Sequence, residues 1–196
     1  MLYAAESGGH EINMNATARE TDVPAERPRS WGLTRSDIER IATSVASQLG
    51  YLPGQDLQPL IRRIGGDIEV APDEDGASLS GSIDVRGPSD FTIYLPLHTG
   101  RLRDRFTIAH ELGHLVLHYV YPNAAKQAGI ERLTAERYGS GRPEIEANWF
   151  AAAFLMPSEL FRQAFMDAGG NLAAVSTEFG VSPHAASIRA NSLGLA

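Results

Sequence analysis

His110-Glu111-Leu112-Gly113-His114 is the stretch on which the reading of this chain turns. It lies inside a run of helical spacing. Leu102, Phe106, Ala109, Leu112, Gly113, Val116 and Leu117 recur at three- and four-residue intervals, which predicts a helix over about 102–119. Residues four apart on a helix are displaced by about 40° around the axis and about 6 Å along it. Two imidazoles so placed, His110 and His114, can hold one zinc ion from the same face, and Glu111 can reach a zinc-bound water as general base. Zinc lowers the pKa of such a water towards about 7, which makes a usable nucleophile at neutral pH. Two histidines four apart also arise by chance. The mid-helix position and the apolar flanks favour the metal reading.

A catalytic zinc needs a third protein ligand. The extended H-E-x-x-H-x-x-G-x-x-H pattern would place Gly at 117 and His at 120, where this chain has Leu117 and Val120. His118 lies a further turn along, too far for one ion to hold all three imidazoles easily, so it reads as a neighbour of the ligands or a core residue. A later helix offers the alternative. In Glu144-Ile145-Glu146-Ala147-Asn148, Glu144 and Asn148 are four apart and share a face, while Glu146 points about 200° away. Glu144 can coordinate the metal and Asn148 can orient a ligand histidine through a hydrogen bond. A carboxylate at a helix start also suits the helix dipole without any metal. Glu146 is expected on a solvated face.

Around these helices the chain reads as one α+β domain, mainly helical. Residues 1–30 are rich in Ala, Glu, Asn, Thr, Gly and Pro without apolar periodicity, and are expected to be a flexible tail. Residues 31–196 form the domain. Ser36 and Glu39 suggest a capping box for a first helix ending at Gly50, and Asp56–Ile64 fits a second. Three short strands follow at Asp67–Val70, Ser78–Val85 and Phe91–Leu95, a small three-stranded sheet. Residues 120–142 read as a glycine-interrupted loop with a short helix and a candidate lid. Pro143 opens the next helix, to about Met156, where Pro157 ends it. Three short helices, Ser158–Ala168, Asn171–Phe179 and Ser182–Leu193, close the chain.

Composition narrows the function. The chain has 196 residues, 17 basic against 24 acidic, and a net charge of −7. That disfavours a dedicated nucleic-acid binder, which needs a positive surface. There is no cysteine, so disulfides, iron–sulfur clusters, a Cys nucleophile and Cys-ligated zinc are excluded. The longest apolar run, Trp149 to Met156, is far short of a membrane span, and no basic start with an apolar stretch marks a secretory signal. A cytoplasmic location is expected.

The joint pattern is more telling than the motif alone. Arg103-x-Arg105-Phe106-Thr107-Ile108-Ala109-His110-Glu111-Leu112-Gly113-His114, then Leu117-His118, then Glu144-x-x-Ala147-Asn148-x-Phe150-Ala151-Ala152-x-x-Leu155-Met156-Pro157, resembles the ImmA/IrrE family of bacterial and phage metallopeptidases over roughly residues 33–195. The upstream helix pair, Ser80-Gly81 and Ile93-Tyr94-Leu95 fit as well. The resemblance implies a minimal thermolysin-like, zincin-type zinc domain. In it His110, His114 and Glu144 are ligands, Glu111 is the base and Asn148 supports a ligand. It also implies a protein substrate, typically a separately encoded helix-turn-helix repressor or an antitoxin-like partner, in stress responses, mobile elements or toxin–antitoxin-like pairs.

Two readings compete with a zinc endopeptidase. A non-hydrolytic metal-binding regulator or toxin component would act by binding such a partner, although a structural site has no need of Glu111. A DNA-binding protein is suggested by Val175 to Ser187, which has helix-turn-helix spacing. Glu178 and Arg189 are the sole charges in residues 171–196, which argues against phosphate contacts. This segment is expected to pack near the site and shape the substrate groove. His184, Tyr119, Tyr121 and Tyr138 are candidate oxyanion donors, more simply read as surface or packing residues. Arg101, Arg103 and Arg105 form a basic cluster that could meet a partner.

Overall fold

The computed structural model describes residues 23–71, 81–135 and 141–196. Residues 1–22 of the tail expected over 1–30, the Ser78–Ser80 start of the second predicted strand and Tyr138 lie outside them. The element order is α1 (Arg35–Gln48), α2 (Gln58–Arg63), β1 (Gly66–Ala71), β2 (Ser82–Gly87), β3 (Asp90–Pro96) and α3 (Arg101–His114). A π-helical turn, Leu115–Val120, continues α3 into α4 (Tyr121–Lys126). There follow β4 (Leu133–Ala135), α5 (Arg142–Leu155), α6 (Ser158–Asp167), α7 (Leu172–Phe179) and α8 (Pro183–Ser192).

β2 and β3 form a hairpin, antiparallel with Ile83 opposite Ile93, and β1 runs parallel to β3 with Ile68 opposite Ile93. Among the described residues the sheet has four strands, not three, in the order β1-β3-β2-β4. The fourth, β4, pairs antiparallel with β2 inside the stretch expected to be a loop. Three residues are too few to show an alternating pattern, but Leu133 and Ala135 are buried with Ile130, so residues 130–135 join the core. One face of the sheet carries Ile83, Val85, Phe91, Ile93 and Leu95 into the core. On the other side, Arg86 donates to Asp84, Asp90 and Thr92, which keeps that face polar.

Helix α1 begins two residues earlier than Ser36 implies. Thr34 caps it: its hydroxyl accepts from the Asp37 N–H, and the Asp37 carboxylate accepts from the Thr34 N–H, each at 3.1 Å. Glu39, expected in the box, instead forms an ion pair with Arg189 of α8. Within residues 23–30, Glu26 is held to the sheet edge. The Glu26 N–H donates to the Arg132 carbonyl and its own carbonyl accepts from the Thr134 N–H, both at 2.9 Å.

The helices meet at α5. It packs on α3 and on α1, and Ala147, Phe150, Ala151, Ala153, Phe154 and Leu155 are all fully buried. A helix that is apolar on nearly every side is central to a fold. Ile145, at the start of the helix, is 45% exposed. Gly113 allows the α3–α5 approach. A Cβ there would lie 3.2 Å from the Ala147 Cα, the Ala147 carbonyl oxygen and the Phe150 Cβ. Gly113→Val adds two more carbons to that gap, and overpacking of this kind costs about 1–3 kcal/mol. A chain of this size loses about 2–4 °C of thermal midpoint per kcal/mol. A circular-dichroism melt should fall by several degrees; an unchanged midpoint would mean that the two helices have room to separate.

Candidate metal centre

His110 and His114 project from α3, and Glu144 projects towards them from the first turn of α5. The three donor atoms lie within 4.8 Å of one another. The His110 Nε2 is 3.1 Å from the His114 Nε2 and 3.1 Å from one Glu144 oxygen; the His114 Nε2 is 3.3 Å from the other. A tetrahedral ion with ligands at about 2.0–2.1 Å spaces them about 3.3 Å apart, so this donor set fits zinc. The remaining ring nitrogens support that orientation. His110 Nδ1–H donates to the Asn148 Oδ1 at 3.0 Å, which leaves its Nε2 lone pair for a metal.

Charge points the same way. Burial opposes the charged form of His114 most strongly, helped by the like charges of His110 and His118, and its pKa drops to about 4. Burial also opposes ionisation of Glu144, but hydrogen bonds from His110 and His114 outweigh it and hold the carboxyl well below the usual carboxylate range. At His110, burial is overcome by the Glu144 hydrogen bond and by the Glu111 and Glu144 charges, so the pKa rises. The cluster therefore favours one added positive charge, which a proton on His110 or a metal ion can supply.

Glu111 is next to this cluster and 3% exposed. Its Oε2 is buried and has no hydrogen-bond partner among the described residues. Burial pushes its carboxyl up to about 8, with Glu144 adding to the rise and His110 opposing it. A divalent cation beside it would favour the carboxylate again. His110, Glu111, Glu144 and Asn148 line a cleft of about 640 Å³ together with Phe106, Thr107 and Arg103. Pro96, Leu102, Val181 and Ala185 complete a largely apolar wall.

His118 does not reach the donor cluster. The π-helical turn beyond His114 sets its Nδ1 3.0 Å from the His114 Nδ1, and its Nε2 3.3 Å from Glu146. Glu146 corrects the sequence reading. It is fully buried, not solvated, and its carboxyl is held well below the usual range: burial raises it, but hydrogen bonds from His118, Ser30 and Arg142 prevail. The helical wheel placed Glu146 correctly on the side away from Glu144. That side is covered because α5 is central, and the near-continuous apolar sequence of α5 was the available signal.

The basic cluster divides. Arg105 is buried and donates to the carbonyls of Gln55, Phe179 and Gly180 and to the Tyr51 hydroxyl. Arg103 stands at the cleft and Arg101 is exposed. Arg105 fastens the α7–α8 turn, where Gly180 has φ +59°, and so presents Val181, Ser182 and Ala185 to the cleft. Arg189 is buried against Glu39 and the Met156 carbonyl, unavailable to a phosphate. The helix-turn-helix pattern thus serves as a cleft wall. Tyr119, Tyr121 and His184 do not line the cleft, and Tyr119 donates to the Glu131 carbonyl at 3.4 Å.

A histidine pair and a glutamate on crossed helices, beside an unpartnered carboxyl in a cleft, are what a metallopeptidase site requires. Residues 71–191 match the peptidase M78 family, described as the IrrE N-terminal-like domain, and the chain belongs to that family. The family's name is that of a peptidase. A solved Mycobacterium tuberculosis transcriptional regulator shares the fold, with 17% identity and a TM-score of 0.54. The match covers 79% of this chain and 46% of that one, so this chain spans less than half of that protein. No curated protein matches. Among the described residues no helix is long and apolar enough to cross a membrane.

Replacing Arg105 by Leu strands several buried acceptors at once. Unsatisfied buried groups cost about 1–3 kcal/mol each and are not additive. Urea unfolding of Arg105→Leu should show a loss of about 2–4 kcal/mol; a loss under 1 kcal/mol would mean that the α7–α8 turn is held by its apolar contacts alone.

Proposed function

We propose that this chain is a zinc-dependent endopeptidase whose substrate is a separately encoded helix-turn-helix repressor or antitoxin-like partner. The observation that carries the hydrolytic part is the pairing of three donors at 3.1–3.3 Å with the unpartnered Glu111 oxygen beside them. The substrate class rests on the ImmA/IrrE resemblance.

His110 and His114 would hold the ion through Nε2, and Glu144 through its carboxylate. Zinc bound there would supply a Lewis acid for a peptide carbonyl and lower the pKa of water. Glu111 takes the proton of the water that attacks the carbonyl carbon. It then passes that proton to the departing amine, so that the C–N bond breaks without releasing an amide anion. Asn148 keeps His110 in the tautomer that leaves Nε2 free. Phe106, Leu102, Pro96, Val181 and Ala185 receive the side chains flanking the scissile bond and limit water in the cleft.

The test combines metal content with cleavage. The purified chain should bind about one zinc per chain, with three protein ligands and one open position. Glu144→Ala should lose most of it. Glu111→Gln should keep the metal and lose cleavage of a co-expressed repressor by at least about 100-fold. Cleavage by Glu111→Gln at the wild-type rate would overturn the mechanism. Stable binding of the partner without cleavage by wild type would replace it with a non-hydrolytic regulator.

A further inference from the structure

We propose that the N-terminal strap, residues 26–33, is the outer end of the metal site, and that Ser30 and Glu146 strengthen metal binding by fixing His114 through His118. The proposal rests on the metal reading of His110, His114 and Glu144. It adds residues that neither the motif nor the family match assigns a role.

The argument begins with proton positions. For the His114 Nε2 to offer a lone pair to a metal, the ring proton must sit on Nδ1. That nitrogen is 3.0 Å from the His118 Nδ1, so His114 donates and His118 accepts. His118 then carries its own proton on Nε2 and donates to the Glu146 Oε2 at 3.3 Å. The other Glu146 oxygen accepts from the Ser30 hydroxyl at 2.7 Å and from the Arg142 Nε at 2.9 Å. One string of hydrogen bonds thus runs from the metal face of α3 to the strap, and each member fixes the proton of the next.

Burial makes the string sensitive. His114, His118 and Glu146 are each 1% exposed or less. Water cannot easily replace a lost partner among these three, and an ionised carboxylate depends on the donors present; Ser30, at the outer end of the string, is exposed. The strap is tied on both sides of Ser30. Glu26 pairs with the β4 edge, and the Arg142 guanidinium donates to the Leu33 carbonyl at 3.1 Å while also holding Glu146. The Arg189–Glu39 pair ties two helices as firmly but touches no candidate ligand, which marks the difference between a plain tie and this one.

A coupling of this kind is mutual. Whatever factor the strap adds to metal affinity, the metal adds to the stability of the strap. The segment therefore offers a place where a partner that pulls residues 26–30 away from β4 and α5 would weaken the metal site without entering the cleft.

The experiment is a zinc titration of the full-length, metal-free chain against a chelator, with hydrogen exchange of residues 26–34 in the metal-free and zinc-loaded states. Ser30→Ala should bind zinc about 2- to 5-fold more weakly, the loss of one part-buried hydrogen bond. Ser30→Thr, which keeps the hydroxyl, should stay near wild type. Glu146→Gln and His118→Leu should lose about 10- to 100-fold. Zinc should slow exchange in the strap of wild type and do so less in Ser30→Ala. The melting temperature of metal-free protein controls for folding: a Ser30→Ala that melts lower yet binds zinc as wild type does has a structural role only, and overturns the proposal. Unchanged affinity in Ser30→Ala with zinc-insensitive exchange in the strap overturns it as well. A wild type that binds no zinc overturns the metal reading itself, and the proposal with it.

Discussion

The α3–α5 contact at Gly113 and Ala147 is the constraint on which the site depends. A Cβ at Gly113 would press on the α5 backbone at 3.2 Å, so the two helices approach this closely without adjustment because that position carries no side chain. Glutamate has a short reach, and the first turn of α5 must come near two successive turns of α3 for Glu144 to meet both His110 and His114. The same approach carries Asn148 to His110 and Glu146 to His118. The middle residues of the H-E-x-x-H motif are therefore not neutral spacers. Leu112 enters the core and Gly113 admits the partner helix.

Around that contact the structure gathers ionisable groups in a buried place. Glu144 and Glu146 are held ionised by their hydrogen-bond donors, while His114 is held neutral. Glu111, with an unpartnered oxygen, is pushed the other way. A carboxylate that keeps several donors and another that keeps few lie a few residues from each other in space, and their environments separate their roles. Such pairs are costly to bury and are retained where chemistry uses them.

Much of this was legible in the sequence. The histidine spacing, the Glu144–Asn148 face and the three C-terminal helices with their Asn171 and Ser182 caps all follow from local periodicity and capping chemistry. The misses share one cause. Ser36 and Glu39 have the letters of a capping box, but Thr34 and Asp37 form it because Glu39 is claimed by Arg189, which lies 150 residues away. Arg105 looked like part of a surface cluster, yet the α7–α8 turn closes over it. β4 was too short to show a period and exists because β2 offers it an edge.

The sequence by itself determined which side chains share a helix face, because helix geometry repeats every few residues and needs no distant partner. It determined the donor types, the absence of thiol chemistry and the wheel position of every candidate. Tertiary structure alone decided which faces are dry. Glu146 lies on the face away from Glu144 in either case; only the packing of His118 and the strap against that side of α5 turns the face into the interior. Burial depends on what arrives from elsewhere in the chain, and no local pattern in residues 144–148 encodes Ser30.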